Sequence, residues 1–241
     1  MSGSDRSDRD MRIVAAAVLI YLLGLACFYP ASIVIKDEVN YLEPAYAFSK
    51  GSLCLDKVSA LTGEVYCQPS GRYLPGLAAV MAPFVELFGW RGAYIVPALA
   101  VAVATLCTGF WLRAAGRSPL FALIVLGYPP VLVLGRTAMS DVPSTALAAL
   151  GLWLFWTGDG DRRGRWLASG FVAGVSLSFR ETNALLFAPL YLGALIRRES
   201  GVGMLVAGGI AGSLVRPLLT AIVFGDPLYV FPTPVTLHCR T

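Results

Sequence analysis

Charge and histidine are scarce in this sequence. Asp, Glu, Lys and Arg make up 14% of its 241 residues, against roughly a quarter in a soluble domain, so an ordinary water-facing surface is excluded. One His and five Cys argue against a conventional His/Cys metal centre, and His238-Cys239 is too little for a ligand pair. The net charge of +4 comes without a basic stripe, because the Arg residues sit at the ends of apolar runs; nucleic acid is not an expected partner. No internal repeat is visible, which weighs against a transporter built from repeated halves. There is no low-complexity tract either, and only the polar start, Ser2 to Asp10, is expected to be disordered.

What is there is apolar surface. Hydrophobic residues make up 56% of the chain and the mean hydropathy is +0.68, the balance of an all-α polytopic protein whose faces a lipid bilayer covers. Seven spans of uneven length can be read, at 13–35, 92–112, 119–135, 142–157, 166–179, 183–196 and 204–224. Pro30 is expected to kink or end the first. Residues 74–89 would make a helix of about 24 Å, short of a hydrocarbon core of roughly 30 Å. Read as a partly inserted helix on the side of Asp37, they leave Arg6, Arg9, Arg12, Arg113, Arg117, Arg162, Arg163, Arg165, Arg197 and Arg198 together on the other side. The positive-inside rule makes that side cytoplasmic. The expected organisation is a cytoplasmic tail at 1–12, a membrane module at 13–225 with its first extracytoplasmic loop at 36–91, and an extracytoplasmic segment at 226–241. The setting is a plasma (inner) membrane. Cys27 and Cys107 read as small buried thiols, whereas Cys54 and Cys67 fall in the first loop, where an oxidising compartment would favour a disulfide.

With this topology one face gathers Asp37, Glu38, Arg72, Tyr73, Arg136, Asp141, Arg180, Glu181 and Asp226. Ionisable groups at a membrane boundary are costly and mark pathways or sites. Asp37 and Glu38 follow the first span directly, and lead into a segment whose Val39, Leu42, Ala45 or Tyr46, and Phe48 recur at helical spacing. The bland reading of the pair is a solvated loop start; the sharp one is a site facing the bilayer boundary. Ser140 or Asp141 can cap the fourth span, with Pro143 in its first turn. Alternatively Asp141 faces Asp37 across a cleft and orients a sugar, an acceptor or a divalent ion. Arg180 either pairs with its neighbour Glu181 or holds a lipid-linked phosphate, which suits its fork geometry and permanent charge.

The ordered set of motifs resembles the GT-C superfamily of membrane glycosyltransferases, in its protein O-mannosyltransferase and aminoarabinose-transferase branch. The resemblance rests on Asp37-Glu38 with Tyr41 and Ala45, on Tyr73-Leu74-Pro75-Gly76, on Arg136 to Asp141, on Arg180-Glu181-Thr182, and on Phe224-Gly225-Asp226-Pro227-Leu228. It covers residues 11–235 and implies inverting transfer of a sugar from a polyprenyl-phosphate donor to an acceptor outside the cytoplasm. It further implies Asp37 as general base on the acceptor hydroxyl, and Glu38 as its support or as a ligand of donor or acceptor. Asp141 falls at the second acidic position, with Arg180 or Arg72 on the donor phosphate. Arg72, Tyr73, Arg136, Arg180 and Glu181 form the expected substrate-binding set. It fixes no cofactor; whether a metal takes part stays open, with a divalent cation, magnesium or manganese, on Asp37 and Asp141 as the candidate. Family members continue into a second set of spans, so residues 1–241 read as a donor-side module, either a transferase in itself or an inactive fragment that works with a partner membrane subunit. The competing class is a transporter-like or lipid-binding protein without chemistry, with Arg180, Glu181 and Arg216 lining a path.

Overall fold

The computed structural model describes residues 3–29, 33–58, 63–69, 73–157, 162–225 and 227. Among these, three stretches are long and apolar enough to cross a membrane as helices: Asp5–Cys27, Trp90–Ala114 and Val202–Val223. They belong to helices α1 (Gly3–Cys27), α4 (Ile95–Ala114, preceded by a 3-10 turn at Trp90–Tyr94), and α10 (Val202–Ser213) followed by α11 (Val215–Phe224). The remaining helices are shorter: α2 (Val39–Ser49), α3 (Gly76–Phe88), α5 (Leu123–Gly127), α6 (Pro129–Leu134), α7 (Asp141–Trp156), α8 (Arg162–Ser176) and α9 (Asn183–Ile196). One small hairpin, β1 (Cys54–Val58) with β2 (Val65–Pro69), interrupts an otherwise helical chain. The all-α, polytopic character expected from composition is what the chain adopts.

Contacts at the helix ends trace the passes. Asp8 pairs with Arg113 at 2.6 Å and Asp10 accepts from Ser118, joining the start of α1 to the end of α4. At the other end, Tyr29 after α1 donates to the Arg91 carbonyl before α4, and Arg136 donates to the Phe28 carbonyl at 2.7 Å. Helices α1 and α4 are therefore antiparallel, with α2, the hairpin and α3 all on one side between them. Helix α3 does not cross: Gly76 at its start bonds Ser178, and Phe84 near its far end touches Gly92 just before α4. The chain then returns through 119–134, descends in α7, returns in α8, descends in α9 and returns in α10 and α11. With α1 and α4, the order of legs is the one read from the apolar runs.

Several boundaries differ from expectation. The polar start is helical from Gly3 rather than disordered, because Asp8 and Asp10 find partners on the α4 end instead of solvent. The first helix stops at Cys27, ahead of Pro30, so it does not run to Ile35. The third leg is broken at Tyr128, whose extended ψ of 113° precedes Pro129 and Pro130. Cys107 is buried as expected but Cys27 is exposed. In the hairpin register Cys54 stands opposite Pro69 and Cys67 opposite Asp56, two positions out of direct pairing. The expected Cys54–Cys67 bridge itself lies outside the described side chains, as do Arg72, Asp226 and the 228–241 segment.

Helices α8 and α10 approach until backbones touch. A Cβ on Gly208 would lie 2.0 Å from the Leu167 carbonyl oxygen, and one on Gly170 would lie 2.0 Å from that of Leu205. Small residues allow this approach where lipid offers no hydrophobic drive between helices. Gly208→Val is expected to destabilise the fold by about 1–3 kcal/mol or more, since neither backbone can yield. A thermal shift in detergent checks it, with Gly193, which has open space around its Cβ position, as the neutral control.

Candidate active site

The site is built on the layer that α2 and α3 lay across one end of the helices. Tyr41, Leu42 and Ala45 of α2 pack with Leu77, Ala78, Met81 and Val85 of α3, over Ala138 and Phe179 from two distant loops. Ala45 takes the inward position and Tyr46 is exposed, which settles the choice left open between them. Two of the motif-bearing loops, 136–141 and 177–182, are thereby brought beneath the Asp37-Glu38 turn. Gly76 makes part of this possible: its N–H donates to the Ser178 carbonyl at 3.2 Å, and a Cβ there would lie 2.5 Å from that oxygen.

Glu38 is the joint. It is fully buried, and one carboxyl oxygen accepts from the N–H groups of Val34 at 2.9 Å and Ile35 at 2.8 Å. The other accepts from the Ala138 N–H at 2.9 Å, one hundred residues away. With both oxygens engaged by backbone, Glu38 fixes the turn that carries Asp37 against the loop that carries Asp141. Asp37 itself is partly exposed at the same end.

Beside this joint, Tyr41 donates to Ser140 at 3.0 Å and stacks on Tyr73, with ring centroids 4.9 Å apart and planes 11° from parallel. Burial pushes the Tyr41 hydroxyl above its ordinary range, and the Ser140 bond opposes this only in part. Tyr41 is therefore protonated at neutral pH, a donor and a stacking surface rather than a base. Ser140, one of the two candidate caps, does occupy the cap position of α7, but its hydroxyl accepts from Tyr41 and makes no cap bond to the helix.

The charged residues pair across the loops. Arg180 donates to Asp141, and Arg216 pairs with Glu181 at 2.5 Å. The neighbour pair Arg180–Glu181 considered from sequence is not formed, because each has a longer-range partner. Arg180 and Asp141 remain 46% and 30% exposed, so a ligand can reach both. Arg136 is turned to the Phe28 carbonyl. Below, Ser144 donates to the Asn183 side chain at 3.0 Å, tying α7 to α9. No group of three His, Cys, Asp or Glu side chains gathers among the described residues, and Arg180 already faces Asp141 where a divalent ion would sit.

Of the expected site residues, Glu38, Tyr73, Asp141 and Arg180 are thus linked through Ala138, Tyr41 and Ser140, with Asp37 carried on the Glu38 turn. Glu181 and Arg136 are held by other partners. Ser140 as the Tyr41 partner was not foreseen; a serine in a loop gives no local sign of a bond 99 residues away.

The sequence model of the dolichyl-phosphate-mannose-protein mannosyltransferase family matches residues 69–217, more than half of the chain. No curated protein and no solved structure matches it. The chain belongs to that family and is a membrane glycosyltransferase of the GT-C type.

Proposed function

We propose that this chain transfers a sugar from a polyprenyl-phosphate-linked donor to an extracytoplasmic acceptor with inversion, its N-terminus lying on the cytoplasmic side of an inner membrane. The observation that carries the reading is the meeting of the Asp37-Glu38 turn with the Tyr41–Tyr73 stack and the Asp141–Arg180 pair at one end of the helices. Asp37 is the base that takes the proton of the attacking acceptor hydroxyl. Arg180, oriented by Asp141, faces the donor phosphate and stabilises the charge that develops on it as the glycosidic bond breaks. Tyr73, 38% exposed and backed by the buried Tyr41 ring, offers an aromatic surface to the sugar. Arg72, next to Tyr73 in sequence, is a second candidate for the phosphate. No step is placed on a divalent cation, since Arg180 supplies the positive charge that Asp141 faces.

Arg180→Ala tests the assignment. In the full-length enzyme in proteoliposomes it is expected to weaken donor binding or lower turnover by about tenfold to a hundredfold, the range for removing a charged hydrogen bond to a developing anion. Arg180→Lys should recover part of this, because it keeps the charge but not the fork. Unchanged donor affinity and turnover in Arg180→Ala would falsify the phosphate role.

A further inference from the structure

The opposite end of the molecule carries a cleft that the transfer reaction does not use. The 20 residues of α4 separate its Arg113 from the site end by about 30 Å. Here the first turns of α1 meet the turn after α4, enclosing a cavity of about 500 Å³ lined by Arg6, Ser7, Asp10, Arg113, Arg117 and Ser118 among others. That lies within the roughly 300–1,000 Å³ of small-molecule sites. The composition is unusual in one respect. Three guanidinium groups surround a carboxyl group that is itself 3% exposed.

The hydrogen bonds of Asp10 are incomplete. One carboxyl oxygen accepts from Ser118 at 2.8 Å, whereas the other, equally buried, has no partner among the described residues. A buried acceptor left unpaired costs about 1–3 kcal/mol, so a donor is called for. Arg113 is taken by Asp8. Arg6 and Arg117 are exposed and make no ion pair among the described residues, so they leave positive charge at the mouth. A ligand that fits must bring a donor to the floor and an anion to the rim. A bare phosphate satisfies the rim and sets an anion toward the carboxyl group; an amine alone satisfies the floor and meets the arginines.

We propose that this cleft binds the headgroup of an aminoalkyl phospholipid of the phosphatidylethanolamine type, with its ammonium on Asp10 and its phosphodiester between Arg6 and Arg117. A lipid is favoured over a soluble aminoalkyl phosphate by position. The cleft lies at the polar ends of two membrane-crossing helices, one turn from Ile13, which is 43% exposed on the lipid-facing flank of α1. The inference is independent of the transfer chemistry, and its test does not use transferase activity.

The full chain in nanodiscs of equimolar phosphatidylethanolamine, phosphatidylglycerol and phosphatidylcholine would be extracted and its retained lipids counted by native mass spectrometry. Phosphatidylethanolamine should exceed phosphatidylcholine, whose quaternary ammonium has no N–H, by about tenfold, and exceed phosphatidylglycerol as well. Arg117→Ala and Asp10→Asn should each bring the ratio to that of the bulk lipid. Arg117 is exposed, and Asn at 10 can still accept from Ser118, so both variants are expected to fold. Arg180→Ala, at the other end, should leave the ratio unchanged. Bulk ratios in the wild type, enrichment that persists in both variants, or phosphatidylglycerol at or above phosphatidylethanolamine would each overturn the proposal. Displacement of the lipid by equimolar O-phosphoethanolamine would assign the cleft to a soluble ligand and overturn the lipid assignment.

Discussion

Asp37→Asn is expected to lower turnover by about a hundredfold or more while leaving donor binding intact, since a positioned general base contributes on that scale. Asn keeps the size of the side chain and its ability to accept a hydrogen bond; what it loses is the capacity to take the proton of the acceptor hydroxyl. The turn around it should stay in place, because its shape is set by Glu38 and the backbone of 34–38, not by Asp37. The measurement is a pair of assays on the full-length enzyme in proteoliposomes, one for donor binding and one for sugar transfer. Loss confined to transfer supports the base. Equal loss in both would make Asp37 a donor ligand, and wild-type transfer would remove it from the chemistry altogether.

Much of this architecture was legible from the chain because lipid imposes strict rules. Apolar runs give the legs, and the Arg-rich turns favour reading 74–89 as a helix that does not cross. The stop at Cys27 and the break at Tyr128 follow from nearby prolines, but the start of the first helix is set by partners in three dimensions. Nothing local marks Gly3 to Asp10 as helical; the helix extends there because Asp8 and Asp10 reach Arg113 and Ser118 across the fold. The site shows the same division. That Asp37, Glu38, Asp141 and Arg180 gather at one end of the helices could be read from the topology. Which of them pair could not. Adjacency suggested Arg180 with Glu181, but a helix-to-helix turn points the two side chains to different neighbours, Asp141 on one side and Arg216 on the other. Glu38 was grouped with the reacting residues by its place beside Asp37, and its burial against the 136–141 loop is a property of the packed layer alone.

That burial gives Glu38 a testable identity as a positioning residue. Its two oxygens accept three backbone N–H groups, so no arrangement of Gln at this position can reproduce the bonds. An amide has one acceptor oxygen, and its NH2 would be set against an N–H donor. Glu38→Gln is therefore not a mild change here: it leaves at least one N–H without its acceptor, at about 1–3 kcal/mol where that is the buried Ala138 N–H, and Glu38→Ala leaves all three without it. Thermal stability in detergent should fall in the order wild type, Gln, Ala. Transfer should fall with it by about tenfold or more, because a displacement of about 1 Å in a reacting group can cost a hundredfold even when the group itself is retained. The decisive readout is the pH dependence of transfer at a temperature where both variants remain folded. A positioning role lowers the rate and leaves the shape of the pH profile unchanged. If Glu38→Gln keeps full stability and instead changes the shape of the profile, Glu38 is itself a proton-transfer group and the joint between residues 34–38 and 138 is held by something else.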